Sequence, residues 1–276
     1  MRKLDNLSTR VVIAVIGIPL ILLFVFYGGL FFFSFVLLIS LLATIEYYQL
    51  VKIKNFSPIF PIGILAIIFI DIVFYLGKHI YFIPLFILTT LLAGLVELFR
   101  KPKFAGWSAI SNFATTLFPV FYIGLLLGTL IGLREIKWRS YDDMGIFIIS
   151  IFATIWICDT AAYFVGKSLG KRKLYQRVSP KKTVEGFIGG LIFAFITSFI
   201  AKFTVLKYLT NLDAFVIGLI VGIFGQLGDL VESLIKRDVG VKDSSSIIPG
   251  HGGVFDRFDS LIYVAPLVYL YIAFLK

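Results

Sequence analysis

The chain has 276 residues, of which 59% are hydrophobic and only 15% are charged, and its mean hydropathy is +0.98. An ordinary soluble domain has about 25% charged residues, so this composition excludes a soluble globular protein and predicts an integral membrane protein. The single cysteine, Cys158, excludes an intrachain disulfide framework and an all-cysteine metal site. The net charge of +10 requires an explanation from the distribution of basic residues.

Apolar runs bounded by charged residues, Gly and Pro predict an all-α, polytopic membrane bundle of about nine transmembrane helices. In chain order, the predicted spans are 9–27, 29–50, 58–77, 80–99, 108–133, 144–165, 184–206, 212–236 and 259–275. The first run is longer than the core of a signal peptide, and no clear small-residue cleavage site follows it. We therefore expect an uncleaved first helix.

Lysine and arginine are shared unevenly between the two alternating sets of loops. The set that includes the N-terminus, with the basic segments 166–183 and 237–258, holds most of the 26 basic residues. By the positive-inside rule this set, and the N-terminus with it, faces the cytosol. The net charge is thus explained by membrane sidedness, so we expect attraction to anionic lipid headgroups and no nucleic-acid partner.

Five acidic side chains lie at about one depth on the predicted cytosolic side. They are Asp159 in the sixth span, Asp229 and Glu232 in the eighth, and Asp256 and Asp259 at the start of the ninth. Any one of them has a plain interpretation as a helix-end charge paired with a lysine. Because ionisable side chains at membrane depth are rare and commonly functional, their coincidence favours a site.

The spacing of these residues indicates which side chains point together. Asp229, Ser233 and Lys236 recur at intervals of four and three and share one face of the eighth helix. Asp256 and Asp259 are three apart and point the same way if the ninth helix has begun at that point. Carboxylate oxygens without neighbouring cysteines suit Mg²⁺, which prefers a few carboxylates, water and substrate phosphates.

Two further segments favour anion binding. Residues 249–253 form a glycine-rich turn whose N–H groups are able to cradle an anion, although such turns also serve as plain connectors. Ser179 is a candidate N-cap for the seventh helix, with Lys181 and Lys182 beside the helix start. The same lysines also fit a simple positive-inside anchor.

The charged stretch at residues 233–259 resembles a known family. It reads SLIKRDVGVKDSSSIIPGHGGVFDRFD and is similar to the signature of the phosphatidate cytidylyltransferases, also called CDP-diacylglycerol synthases. The matching positions are Ser233, Lys236, Arg237, Lys242, Asp243, Pro249, His251, Gly252, Gly253, Asp256, Arg257 and Asp259. The upstream stretches DTAAYFVGK and SPKKTVEGFIGG are also similar to segments of that family, so the resemblance covers roughly residues 155–262.

The resemblance implies transfer of CMP from CTP to phosphatidate, with release of pyrophosphate and formation of CDP-diacylglycerol for phospholipid biosynthesis. The implied cofactor is Mg²⁺, with a second cation as a further candidate. The residues assigned to metal binding are Asp229, Asp256 and Asp259, with Asp159 as an additional candidate. The residues assigned to catalysis beside them are Lys236, Arg257 and His251. The residues assigned to substrate binding are Ser179, Lys181, Lys182, Thr183, Ser233, Arg237, Lys242, Gly252 and Gly253.

Phosphatidate already carries an ionised oxygen, so no general base is needed, and His251 is assigned to shaping the site or contacting phosphate. CTP is a cytosolic anion and phosphatidate is a membrane lipid. We therefore expect a polar cleft between the sixth, seventh, eighth and ninth helices, open to water and sideways to lipid. This cleft would face the cytosol in a multi-pass protein of the cell (inner) membrane.

The chain is predicted to divide into two regions. Residues 1–140 carry only the apolar pattern and are assigned to support or dimerisation, with a homodimer as the expected assembly. Residues 141–276, with the cytosolic loops 166–183 and 237–258, are assigned to catalysis.

Two alternatives stay open at this point. A CTP-dependent polyprenol or phytol kinase would need a base for its neutral alcohol. An ion-coupled transporter is suggested by intramembrane carboxylates such as Asp71. For a transporter we would expect carboxylates near mid-membrane, whereas the main cluster is interfacial. We interpret Asp71 as a satisfied polar contact and Glu46 and Glu97 as helix-end charges.

Overall fold

The structure is a computed structural model that describes residues 6–102, 107–250 and 252–276, with side chains from residue 11 onwards. Within these residues, seven helices are long and apolar enough to cross a membrane, and two apolar helices are shorter. In chain order the helices are α1 Asn6–Tyr27, α2 Gly29–Ile53, α3 Phe60–Tyr75, α4 His79–Leu98, α5 Ala109–Glu135, α6 Tyr141–Leu169, α7 Val184–Thr204, α8 Asn211–Asp238 and α9 Phe255–Leu275. Each overlaps one predicted span, which confirms the all-α polytopic fold. The number of helices that cross the bilayer stays a prediction.

A short antiparallel hairpin connects α6 to α7. Its strands are β1 Lys173–Tyr175 and β2 Ser179–Thr183, and Lys173 pairs with Thr183. The prediction of Ser179 as the helix N-cap was therefore wrong. Thr183 caps α7, because its hydroxyl accepts a hydrogen bond from the Gly186 N–H at 3.1 Å. A start at Ser179 would put Lys181 and Lys182 in the first turn, where the helix dipole disfavours positive charge.

Side-chain caps also fix where α6 and α8 begin. The Ser140 hydroxyl accepts from the Asp143 N–H at 3.1 Å at the start of α6. At the start of α8, Thr210 and Asp213 cap each other's backbone N–H groups, at 3.1 and 2.7 Å. Since the first N–H groups of a helix have no partner within it, such caps set the first residue of each apolar run.

Two helices contain one π-helical turn each, α5 at Val120–Leu125 and α8 at Ile220–Gly225. A π turn holds an extra residue and so rotates the following residues relative to those before it. In α8 the turn ends directly before Gln226 and the acidic segment that follows. Periodicity in the sequence gave no sign of this change of face.

Loops and helix ends meet in two separate sets, as alternating spans require. Lys54, after α2, lies 3.3 Å from Asp238 at the end of α8. On the opposite side, the Arg139 guanidinium lies over the Tyr208 ring at 5.0 Å, which joins the loops before α6 and before α8. These contacts agree with the predicted alternation, while the assignment of one side to the cytosol stays a prediction.

A buried arginine fastens α1 to the bundle. Arg134, at the end of α5, is 1% exposed. It donates to the carbonyl oxygens of Val25 at 3.3 Å and Phe26 at 3.4 Å, and its guanidinium stacks on the Tyr141 ring at 3.5 Å. These bonds satisfy carbonyls at the C-terminal end of α1, which have no partner within the helix. As a result α1 lies against α6 and forms one wall of the site described below.

Candidate active site between α1, α6, α8 and α9

A cavity of about 990 Å³ lies between α1, α6, α7, α8, α9 and the hairpin. Its charged lining is formed by Asp159, Lys167, Lys181, Lys182, Asp229, Lys236, Asp243, Asp256, Arg257 and Asp259. Its apolar lining includes Ile13, Ala14, Ile18 and Ile21 from α1 and Phe152, Ile155 and Trp156 from α6. One cavity thus presents charged groups and a hydrocarbon-like wall side by side. The predicted cleft did not include α1.

Three carboxylates converge beside the cavity, of which Asp229 and Asp259 line it and Glu232 does not belong to the lining. Asp229, Glu232 and Asp259 each offer one oxygen, and these oxygens lie within 4.8 Å of one another. Glu232 is fully buried, and its Oε1 has no hydrogen-bond partner among the described residues. A buried polar atom left without a partner destabilises a fold. Hard oxygen donors at this spacing fit a divalent cation such as Mg²⁺, which would satisfy that oxygen.

Asp229 is held by the hairpin and by its own helix. Lys182 Nζ lies 2.7 Å from Asp229 Oδ2, and the Ser233 hydroxyl donates to Asp229 Oδ1 at 3.3 Å. Both partners of the ion pair are about one-third exposed, towards the cavity. The structure thus brings Lys182 from the hairpin and Ser233 from α8 to the same carboxylate. Lys182 reaches the site because it lies in strand β2 of the hairpin that connects α6 to α7.

Lys236 is enclosed by acidic groups. Its Nζ lies 2.7 Å from Glu232 Oε2 and also contacts Asp256 Oδ1, and the residue is only 8% exposed. Two carboxylates compensate its charge, which makes burial of the ammonium tolerable. The predicted phosphate contact of Lys236 would require it to leave at least one of these partners.

Asp256 is surrounded by hydrogen-bond donors. Its Oδ2 accepts from the Ser244 N–H and hydroxyl, both at 2.9 Å, and from the Gly253 N–H at 2.7 Å. Its Oδ1 contacts Lys236. Asp259, one turn further along α9, accepts only the Ser260 N–H, at 2.6 Å, among the hydrogen bonds of the described residues. Direct metal coordination by Asp256 stays a prediction, whereas Asp259 has oxygen lone pairs free for a cation.

Five other charged residues line the same cavity, namely Asp159, Lys167, Lys181, Asp243 and Arg257. Asp159 thereby adds a further carboxylate to Asp229 and Asp259. Within the described residues, Lys181 and Arg257 form none of the salt bridges. The site therefore combines several carboxylates with three cationic side chains, Lys167, Lys181 and Arg257, that form no salt bridge with a described residue.

The remaining predicted residues lie further from the cavity. The Arg237 guanidinium donates to the carbonyls of Val178 at 3.3 Å and Val241 at 2.8 Å, and so ties the hairpin to the end of α8. Lys242 is exposed and Ser179 is half-buried, and neither belongs to the described lining. His251 lies outside the described residues.

The two glycines after residue 251 have separate reasons for lacking a side chain. Gly252 has φ +84°, and a Cβ there would lie 2.6 Å from Asp256 Oδ2. Gly253 donates its N–H to Asp256, and a Cβ there would collide with Ser244 and Glu46. The glycine-rich turn is thus packed around carboxylates.

Two interpretations of isolated carboxylates were wrong. Glu46 is not a solvated helix-end charge, because it is fully buried and accepts four hydrogen bonds from the region before α9. Asp71 is not a satisfied polar contact, because neither of its buried oxygens has a hydrogen-bond partner among the described residues. In both cases the only signal in the sequence is an acidic residue within or beside an apolar run.

The fold and the site together define a polytopic membrane protein with a carboxylate and lysine cluster beside an apolar wall. A model of the cytidylyltransferase family matches residues 8–275, so the chain belongs to this family. The match includes α1 and the whole of the cavity lining.

Bacterial relatives match over nearly the same length. The phosphatidate cytidylyltransferase of Bacillus subtilis is 33% identical over 278 residues, covering 97% of this chain and 98% of the relative. That of Staphylococcus haemolyticus is 36% identical, with 95% and 97% covered. That of Synechocystis sp. is 34% identical, with 97% of each chain covered.

Proposed function

We propose that this protein is an enzyme that transfers CMP from CTP to phosphatidate and so forms CDP-diacylglycerol and pyrophosphate. Membership of the cytidylyltransferase family and the names of its relatives support this reaction. The observation that carries it is the single cavity in which the carboxylates and cations adjoin the apolar wall of α1 and α6. A nucleoside triphosphate requires the charged groups and a lipid phosphate requires the apolar wall, and the reaction needs both at one place.

In this reaction an ionised phosphatidate oxygen attacks the α-phosphorus of CTP. A new P–O bond forms, and the bond from the α-phosphorus to the bridging oxygen of pyrophosphate breaks, so pyrophosphate leaves with that electron pair. The nucleophile needs no deprotonation, and positioning and charge neutralisation account for most of the required catalysis.

Lys181 and Arg257 are the cations that we assign first to the triphosphate. Both line the cavity, and neither is neutralised by a salt bridge within the described residues. Lys182 would add a third positive charge on leaving Asp229, from which it lies 2.7 Å away. A guanidinium binds phosphate oxygens through two parallel hydrogen bonds, which makes Arg257 suited to orient the leaving group.

Asp229, Glu232 and Asp259 are the residues that would hold Mg²⁺, with Asp159 beside them. The bound cation would supply neutralisation of phosphate charge and polarisation of the α-phosphoryl group. Asp256 would keep Lys236 and the turn before α9 in place, and its predicted direct coordination would follow if Lys236 moves away. Glu232 was noted in the sequence but was not assigned to the site.

The apolar wall is proposed to take the glycerol end and the first carbons of the acyl chains. Ile13 and Ile18 from α1 line the cavity together with Phe152 and Trp156 from α6. Because the basic loops mark this side of the bundle as cytosolic, CTP would enter from the cytosol and the lipid from the inner leaflet of the cell membrane. A homodimer stays a prediction.

The direct test is an assay with purified protein in detergent, phosphatidate, Mg²⁺ and radiolabelled CTP. We expect CDP-diacylglycerol and pyrophosphate in equal amounts, and no product when a neutral polyprenol replaces phosphatidate. The label for this assay is placed in the cytidine or the α-phosphate. In a parallel assay with CTP labelled at the γ-phosphate, label transferred to the polyprenol would instead identify a lipid kinase, because a kinase transfers the γ-phosphoryl group and leaves CDP. Absence of any product, under conditions in which a phosphatidate cytidylyltransferase from a relative is active, would overturn the proposal.

A further inference from the structure

Glu46 connects the N-terminal half of the chain to the loop that precedes α9. It lies in α2 and is 0% exposed. Its Oε1 accepts from the Ser245 hydroxyl at 2.6 Å and the Val254 N–H at 2.9 Å. Its Oε2 accepts from the Ser244 hydroxyl at 2.9 Å and the Phe255 N–H at 2.8 Å. These four donors fill the acceptor sites of a carboxylate.

Two of these donors are backbone N–H groups at the start of α9, so Glu46 caps that helix. Val254 and Phe255 have backbone N–H groups at the helix N-terminus, and no side chain of their own segment caps them. A carboxylate at this position satisfies those donors and interacts favourably with the helix dipole. Asp256 and Asp259 follow within the next turn of the helix, so the anchor is adjacent to the site carboxylates.

A second contact extends the anchor into the site itself. The Ser244 hydroxyl lies 2.9 Å from Glu46 Oε2 and 2.9 Å from Asp256 Oδ2, so it bridges the two carboxylates. Asp256 in turn contacts Lys236, which pairs with Glu232. A continuous polar chain therefore runs from α2 to the three converging carboxylates.

Gly253 supplies an independent observation. It is buried, and a Cβ at this position would collide with the Glu46 carboxylate and the Ser244 hydroxyl. The backbone therefore approaches the carboxylate more closely than any side chain would permit. Glu46 forms no salt bridge with a described residue, so its negative charge is balanced by these donors alone.

We infer that Glu46 is a positioning residue for the reaction: it holds the loop before α9 so that Asp259 meets Asp229 and Glu232 at a distance suited to one cation. The inference rests on the proposed function for the identity of the reaction. The anchoring itself is a property of the protein without substrate.

The test is the variant Glu46→Gln. Its amide NH₂ replaces an oxygen that accepts two hydrogen bonds, and an NH₂ group is unable to accept them. We expect amide hydrogen exchange at residues 253–256 to become at least tenfold faster. We also expect Mn²⁺, used as a spectroscopic probe for the cation, to bind roughly tenfold more weakly by electron paramagnetic resonance, as is typical when a group supporting metal ligands is lost. kcat should fall while KM for phosphatidate changes little.

Glu97→Gln is the matched control. Glu97 is also buried, at 7% exposed, and accepts from Asn112 Nδ2 at 2.9 Å while pairing with Arg100 at 3.2 Å. Glu97 contacts Asn112 and Arg100 and does not belong to the cavity lining. Its loss should therefore lower the melting temperature without changing Mn²⁺ affinity. If Glu46→Gln behaves as Glu97→Gln does in exchange and in Mn²⁺ binding, the inference is overturned.

Ser245→Ala keeps the inference testable if Glu46→Gln does not fold. It removes one donor, 2.6 Å from Glu46, and leaves the other three. We expect a shift of a few fold in the same direction in exchange and in Mn²⁺ binding. A folded Ser245→Ala protein with unchanged values would contradict the anchor. If the wild-type protein fails to form CDP-diacylglycerol while the variants show these exchange changes, only the proposed function is overturned.

Discussion

Two buried carboxylates, Glu97 in the N-terminal half and Glu232 in the C-terminal half, differ in how completely their oxygens are bonded. In the N-terminal half, Glu97 is closed off by Asn112 and Arg100, and Arg100 also donates to the Ser57 carbonyl at 2.5 Å. In the C-terminal half, Glu232 keeps an oxygen without a hydrogen bond, and Asp259 faces the cavity beside it. Around Glu97 the bonded carboxylate fastens helices, whereas around Glu232 an unbonded oxygen accompanies the candidate site. An open acceptor alone does not make a site, because Asp71 in α3 also has buried oxygens without a hydrogen-bond partner among the described residues.

The boundary between these halves does not separate the site from its support. The predicted division at residue 140 stays a prediction, but the cavity is lined by α1 as well as by α6 to α9. Glu46 in α2 also reaches the loop before α9. The experiments below compare residues that lack a hydrogen-bond or ion-pair partner with residues whose polar groups are fully paired.

The largest effect is expected for Asp259→Asn and Asp229→Asn. Each removes one of the converging oxygens, and we expect turnover to fall by about a thousandfold, in the range known for loss of a group that acts at the reacting centre. Measured by CDP-diacylglycerol formation, near-normal rates in both variants would refute the metal assignment. Thermal stability should not fall in Asp259→Asn, which removes one of three clustered carboxylates, whereas Asp229→Asn also loses the ion pair with Lys182.

Asp142→Asn is the control for those two variants. Asp142 is an exposed carboxylate in the first turn of α6, at the end of the bundle away from the cavity. Its loss should leave turnover within about twofold of wild type, with a change of only a few tenths of a kcal/mol at a helix terminus.

A smaller effect is expected for Lys181→Ala and Arg257→Ala. Each removes a cation that has no salt bridge within the described residues, so KM for CTP should rise about tenfold to a hundredfold, with a larger effect at low salt. KM for phosphatidate should rise less. Lys207→Ala, on the opposite side of the bundle, should change neither constant. Equal increases in KM for CTP in all three variants would mean that the effect is only one of net charge.

Gly17→Leu tests the apolar wall. Gly17 lines the cavity, and a Cβ at this position meets no atom within 4 Å. Leucine is also the better helix former, by somewhat under 1 kcal/mol. We expect KM for long-chain phosphatidate to rise about three- to tenfold, a smaller rise for a short-chain analogue, and no change in KM for CTP.

Val15→Leu is the control for the wall. Val15 lies on the same helix, is 65% exposed and does not belong to the described lining. Its substitution should leave all kinetic constants unchanged. A loss of CTP affinity in Gly17→Leu would show that α1 borders the nucleotide and not the lipid.

The smallest effect on activity is expected for Arg134→Met. This change leaves the carbonyls of Val25 and Phe26 without a donor, and each unsatisfied buried group costs about 1–3 kcal/mol. The melting temperature in detergent should fall by several degrees while kcat stays within about twofold. Arg139→Met, which removes an exposed stacking contact with Tyr208, should lower the melting temperature by less. A large loss of kcat in Arg134→Met at full folding would place α1 closer to the chemistry than proposed.

The helices were predictable because apolar runs ended by charged residues, Gly and Pro have few other structural solutions in a membrane protein. The meeting of Asp229 and Asp259 was also predictable, from their common depth and helical spacing. The hairpin was not predicted, because residues 173–183 lack a long β pattern and the strand forms by pairing within the loop. The π turn at Ile220–Gly225 was not visible either, since it changes the face of the helix without changing its composition.

Glu46 was missed for a different reason. Its partner Ser244 lies 198 residues further along the chain, and periodicity reports only on neighbours within a helix. Lys236 lines the cavity, and its role at the site stays a prediction. Its neutralisation by two carboxylates depends on how α8 and α9 pack. Side-chain partners of this kind become apparent only in three dimensions.

The long separation in sequence between Glu46 and its donors has a consequence for the order in which the protein folds. During synthesis α2 is inserted long before residues 244–255 leave the ribosome. The Glu46 carboxylate therefore lacks its four hydrogen-bond donors during that interval. The loop before α9 is likewise without its anchor until it folds back onto α2. Completion of the site would then be among the last events of assembly, and a nascent chain that ends before α9 would lack both the anchor contacts and Asp259.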